Sequence, residues 1–175
     1  KSSKDGSSLY VNSHDLSQSI HLKTACSQCH SEVSPSLKRA CATIKNKVNC
    51  SACHAGVVEE YQKSTHGTLF AKNDPNAPTC TECHTKHTVR NKRDPSSPTF
   101  PTNIPNLCAR CHREGQKAAV RYTGPDHEII NEYSESIHGK GLLKSGLVVT
   151  AMCTDCHTAH RELPHANVES SVNEK

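Results

Sequence analysis

Cys26-Ser27-Gln28-Cys29-His30 decides how the rest of the chain is read, because its pattern returns four times. The further copies are Cys50-Ser51-Ala52-Cys53-His54, Cys80-Thr81-Glu82-Cys83-His84, Cys108-Ala109-Arg110-Cys111-His112 and Cys153-Thr154-Asp155-Cys156-His157. Cys-x-x-Cys-His is the spacing of c-type haem attachment. Two thiols add to the two vinyl groups of one porphyrin and become thioethers. On a helical turn, positions i, i+3 and i+4 share a face, so the histidine lands beneath the ring and reaches the iron. Zinc ribbons and thioredoxin-like sites also use Cys-x-x-Cys. Here, however, His follows all five pairs in a chain holding 13 His among 175 residues. By chance that happens roughly 2 times in a million.

The sequence therefore predicts five covalently attached haem c groups. Their thioethers form at Cys26, Cys29, Cys50, Cys53, Cys80, Cys83, Cys108, Cys111, Cys153 and Cys156, and the proximal iron ligands are His30, His54, His84, His112 and His157.

Composition agrees with that reading. Hydrophobic residues make up 33%, aromatics 3%, there is no Trp, and mean hydropathy is −0.68. An ordinary domain carries about 45–50% apolar residues, glycine included. Large flat porphyrins take the place of the missing Phe, Trp and Leu as the core. The expected fold is mostly irregular with short α-helices around the haems and little or no β-sheet. It forms one pentahaem domain over residues 1–175.

The net charge of +4 belongs to the polypeptide alone. Each haem adds two propionates, and each ferric iron leaves one positive charge on its ring system. The loaded protein then carries about −1 when oxidised and about −6 when reduced. The basic sequence is thus no argument for nucleic acid. Lys and Arg are expected to pair with propionates. Cys41 is the one cysteine outside the motifs and reads as an idle thiol. Thioether attachment takes place outside the bacterial or archaeal cytoplasm. Lys1 reads as a processed N-terminus, and the protein as exported, extracellular or periplasmic. No stretch approaches the ~20 apolar residues of a membrane span.

An internal repeat orders the motifs. Tyr61-x-x-Ser64-x-His66-Gly67 precedes Cys80-Thr81-Glu82-Cys83-His84-Thr85-Lys86-His87, and Tyr133-x-x-Ser136-x-His138-Gly139 precedes Cys153-Thr154-Asp155-Cys156-His157-Thr158-Ala159-His160. A degenerate first copy runs from Ser19-Ile20-His21 into Cys26. The repeats span about 15–56, 57–122 and 126–165, the last incomplete because it holds one motif in place of two. Gly after His66 and His138 suggests helix ends, with both histidines in last turns. Asp15 and Gln18 resemble a capping box for a helix carrying His21. Asp126 is expected to cap the helix before His138, and Asn106 a helix running from Cys108 toward Tyr122. The Pro-rich stretch from Asn91 to Pro105 reads as an irregular linker.

The repeat also nominates second iron ligands. Met152 is the only methionine and stands next to Cys153, a position from which it does not reach the far face of that haem. Histidine is the alternative. His21, His66 and His138 share one slot. His87 and His160 share another, three residues after a proximal His and too close to serve the same iron from the opposite face. That slot should serve a neighbouring haem. His14 is a sixth candidate, while His127 and His165 fit no slot and are expected to face solvent or propionates. Which histidine serves which iron stays open at this point.

With these motifs the chain resembles the multihaem cytochromes c of the cytochrome c3-like, doubled Cys-x-x-Cys-His kind. The resemblance covers roughly residues 15–165. It implies low-potential bis-His haems in a closely spaced chain, with other redox proteins or extracellular electron acceptors as partners. Some members assemble into extracellular filaments, so the resemblance also implies head-to-tail self-association. The expected function is electron transfer without catalysis, since an iron bound on both sides has no position for substrate. The alternative is a multihaem reductase for nitrite, hydroxylamine or a sulfur oxyanion, which requires one open haem.

Overall fold

The computed structural model describes residues 11–33, 44, 47–122, 124 and 128–174. Cys41, Asp126 and His127, each given a role above, lie outside them. The described residues contain short helices and no strand. The helices are α1 (Ser13–Ser17), α2 (Cys26–Cys29), α3 (Ser51–Lys63), α4 (Thr65–Ala71), α5 (Cys80–His84), α6 (Ile104–His112), α7 (Ile129–Glu135), α8 (Ile137–Gly139) and α9 (Cys153–His157). Single 3-10 turns lie at Pro101–Asn103 and Ala119–Arg121, and a π turn at Lys140–Lys144 follows α8 directly. The expected fold class is what the chain adopts.

The protein part of the core is small. Among the described residues, the buried apolar side chains are Ala77, Ile104, Ala109, Ile130 and Leu142. The chain exposes 12652 Å². A folded protein of 19.1 kDa exposes about 8,400 Å² by the usual scaling of surface with mass.

Polar ties hold the repeats in shape. The Tyr61 hydroxyl donates to the Pro78 carbonyl at 2.6 Å, and Tyr133 to Ala151 at 3.0 Å. Each tie fastens a long helix to the residue two before a Cys-x-x-Cys-His. Ser64 then ends α3 and begins α4. Its hydroxyl donates to the Tyr61 carbonyl at 2.7 Å and accepts from the Gly67 N–H at 3.0 Å. Ser136 repeats this between Tyr133 and Gly139, at 2.7 and 3.1 Å.

That junction corrects the expected helix ends. His66 and His138 lie in the first turn of a second helix, not in the last turn of a first. The glycine is needed for close approach, not for a left-handed cap. A Cβ on Gly67 would sit 1.9 Å from the Tyr61 carbonyl oxygen, and one on Gly139 equally close to that of Tyr133. Three smaller expectations also change. Asn12, not Asp15, caps α1 by accepting from the His14 N–H at 2.9 Å, and the helix stops before His21. Asn106 lies inside α6, which starts at Ile104 with Pro105 in its first turn and ends at His112 rather than near Tyr122. Asn103 precedes it, and its amide closes the Pro-rich stretch by donating to the Pro95 and Ser97 carbonyls at 2.9 and 2.8 Å.

Candidate functional site

Three motifs form short turns of their own, α2, α5 and α9, each with its own cap, while the Cys50 motif opens α3 and the Cys108 motif ends α6. The Gln28 side chain accepts from the Ala25 N–H at 2.8 Å, and Asp155 from the Met152 N–H at 2.8 Å. Glu82 does the same for Thr79. The second variable residue of the motif thus satisfies a donor that the helix start leaves unpaired. Gln28, Glu82 and Asp155 are legible in the sequence as the only such residues among the five motifs. Ala52 and Arg110 stand in their place in the other two.

After His84 and His157 the chain turns through a conformation that L-residues rarely take. Thr85 has φ 66° and Thr158 φ 65°, with ψ near 180°. Such a residue stores about 1–3 kcal/mol. The turn sends His87 and His160 away from their own motifs.

They arrive at other motifs. His87 and His30 have ring centres 6.2 Å apart, and His160 and His84 6.0 Å. His21 lies 6.1 Å from His54, and His66 6.2 Å from His112. An imidazole nitrogen bonds a first-row metal at about 2 Å and its ring centre lies roughly 1 Å further back, so two imidazoles across one ion place their centres about 6 Å apart. All four pairs have this separation. The residues present fit an iron between each pair.

The fifth proximal position is different. His157 is exposed and has no ring partner among the described residues. His138, named for the slot that holds His21 and His66, is exposed and meets no proximal histidine. His14 is exposed on α1, and His165 is exposed with its backbone carbonyl accepting from Asn173 at 2.6 Å.

Desolvation acts on three of the paired rings. His84, His112 and His87 are each pushed below the usual imidazole range, first by burial and then by neighbouring histidines. The neutral ring is the form that binds iron. Across its contact with the third repeat, His66 Nδ1 lies 3.5 Å from a Glu162 carboxylate oxygen. A carboxylate beside one ring nitrogen helps to orient the ring. Nothing in the sequence patterns pointed to Glu162.

The sites adjoin one another in chain order. The Cys50 thiol lies near Cys29 on one side and Cys80 on the other. Cys83 is near Cys111, and Cys108 hydrogen-bonds Cys153, which with burial holds the Cys108 thiol protonated. Histidines repeat the order: His84 senses His54, and His112 senses His157. A cleft of about 400 Å³ opens beside the third site, between Gly56, Val57 and Glu60 of α3 and the segment Thr158, His160 and Arg161. No three His, Cys, Asp or Glu converge as a metal cage among the described residues. Cys26, Cys29, Cys53 and Cys156 are exposed, and the other six motif cysteines are half-buried.

Residues 73–117 match the family model described as the doubled CXXCH motif. The matched stretch holds the motifs at Cys80 and Cys108. No curated protein and no solved structure matches the chain. The match and the motifs are those of covalent haem c attachment, and haems so attached perform electron transfer. No described helix is long and apolar enough to cross a membrane.

Proposed function

We propose that this chain carries electrons along five haem c groups, four of them held between two histidines each. The ligand pairs are His30 with His87, His54 with His21, His84 with His160, and His112 with His66. The observation that carries the reading is the adjacency of the five motifs, each against the next through its thiols or its histidines. When bound, the haems supply reversible one-electron redox chemistry.

The residues set the terms. Two imidazoles per iron leave no position for substrate at four of the five sites. Short helices and polar ties hold those imidazoles in place, so little rearrangement accompanies a change of charge. Desolvation favours the neutral rings of His84, His87 and His112, and the Glu162 carboxylate stands 3.5 Å from His66 Nδ1. A reductase needs an iron with one free side, and His157 marks the one place among the described residues that offers it. All five motifs retain a proximal His and none replaces it with Lys.

Voltammetry of the loaded protein tests the reading. Overlapping reversible couples at low potential are expected, unchanged by nitrite, hydroxylamine or sulfite. A catalytic wave with any of them would make the protein a reductase. The wider reading rests on the resemblance: an exported carrier that serves other redox proteins or extracellular acceptors and assembles head to tail. Electron microscopy of the purified protein tests that part, filaments supporting it and discrete particles opposing it.

A further inference from the structure

The four histidines that stand opposite proximal rings reach them in two ways. His21 and His66 stay within their own repeats, facing His54 and His112. Backbone bonds fix both. His66 lies in α4, and the turn at His21 is closed by the Leu22 N–H donating to the Ser19 carbonyl at 3.1 Å. His87 and His160 instead cross to the preceding repeat, facing His30 and His84. Neither lies in a helix, and no backbone-to-backbone bond closes residues 85–88 or 158–161.

A threonine hydroxyl closes these two turns. The Arg161 N–H donates to Thr158 Oγ1 at 3.2 Å, and the Thr88 hydroxyl donates to Thr85 Oγ1 at 3.1 Å. Each bond comes from the third residue after the threonine and encloses the histidine, which is the second. The same threonines hold the positive φ of 66° and 65°. Glycine takes that conformation without strain, yet both turns carry threonine. Ser31, Ala55 and Arg113 follow the other described motif histidines, and none of them has a positive φ. Beyond each turn a carbonyl ties the segment to the preceding repeat. Val89 accepts from the Ile20 N–H and Glu162 from the Thr65 N–H, both at 2.8 Å.

We propose that Thr85 and Thr158 are positioning residues for the crossing ligands, their hydroxyls closing the turns that aim His87 and His160 at irons of the preceding repeat. The proposal rests on the histidine pairing above. Strain and hydrogen bond act together. The positive φ turns the chain back from its own motif, and the hydroxyl holds the short loop that results. A loop closed in this way leaves the imidazole few other positions when its bond to iron opens, so it returns before another ligand arrives. Without the hydroxyl the loop loosens, and an external ligand competes better for that iron. The helix and turn that hold His66 and His21 do not depend on these two hydroxyls.

Cyanide uptake by the haem-loaded ferric protein, followed by electron paramagnetic resonance, tests this. Cyanide binds a two-histidine iron only after the second imidazole has left, and each low-spin component reports its own haem. Thr158→Val keeps the branched shape and loses the hydroxyl, whereas Thr158→Ser keeps the hydroxyl. Cyanide should replace the component that His160→Ala removes about fivefold faster in Thr158→Val than in the wild type, and at the wild-type rate in Thr158→Ser. The other components should keep their rates. At the second turn both partners are side chains. Thr85→Val and Thr88→Val should each speed replacement of the component that His87→Ala removes, and the double variant should speed it no further than either alone. This arm stands even where Thr158→Val fails to fold. Unchanged rates in the valine variants, equal acceleration at all haems, or serine behaving as valine would overturn the proposal. So would additive effects of Thr85→Val and Thr88→Val. If His160→Ala and His87→Ala remove no low-spin component, it is the histidine pairing beneath the proposal that fails.

Discussion

His84 and His160 have nearly parallel ring planes, with 6.0 Å between centres and 18° between planes. The other three pairs are tilted by 46°, 50° and 59°. Near-parallel ligand planes separate the two iron d orbitals that project out of the haem plane (dxz and dyz) more than crossed planes do. The ferric haem at His84 should therefore give the most rhombic low-spin signal of the set. His160→Ala should remove that component from the electron paramagnetic resonance spectrum and add one high-spin haem. Loss of a different low-spin component would mean that His160 serves another iron.

Glu162 should tune one site. Its carboxylate lies 3.5 Å from His66 Nδ1 and so stabilises the oxidised iron held by His66 and His112. Glu162→Gln should raise that haem's potential by about 50 mV, close to a tenfold change in its equilibrium constant. The other four should move much less. A spectroelectrochemical titration in which no couple shifts would remove Glu162 from the account.

The glycine beside His66 is predicted to be irreplaceable. A Cβ at Gly67 would overlap the Tyr61 carbonyl oxygen, whereas one at Gly56 meets nothing within 4 Å. Gly67→Ala should cost about 3 kcal/mol and turn the haem at His112 high-spin, because it displaces α4. Gly56→Ala should leave spectrum and denaturation midpoint alone or stabilise slightly. Equal effects of the two would argue against the tight junction.

Tyr61 gives the fold an alkaline edge. Burial, more than nearby anions, pushes its hydroxyl up to about 12. Cys80 and Cys83 contribute to that rise only as free thiols, so the burial part is what remains in the loaded protein. The unfolded phenol ionises near 10. A group whose folded pKa is raised stabilises fully below the unfolded value and loses that contribution as pH climbs through the folded one. Urea midpoints should fall from about pH 10 to pH 12 more steeply in the wild type than in Tyr61→Phe, which starts about 1 kcal/mol lower. Parallel falls would contradict it.

Much of the site could be read before any fold was known. The motif spacing carries the attachment chemistry, and the repeat nominates His21, His66, His87 and His160, which all stand against proximal rings. Their partners could not be read. His87 meets His30 only because two repeats dock, and docking is a property of the folded chain. The repeat also put His138 forward, and its slot has no proximal ring beside it. Helix boundaries were misjudged where one short helix follows another, since Ser64 and Ser136 stop one helix and start the next with the same hydroxyl. Gly67 was read as a cap for the same reason. A single sequence does not distinguish glycine kept for a positive φ from glycine kept for space.

The central claim is that four irons lie between four named pairs of rings, and iron anomalous scattering from crystals of the haem-loaded protein tests it most directly. The account predicts peaks midway between His30 and His87, His54 and His21, His84 and His160, and His112 and His66, with a fifth beside His157. An iron bound by His138 or His14 in place of any of those four second ligands would contradict it.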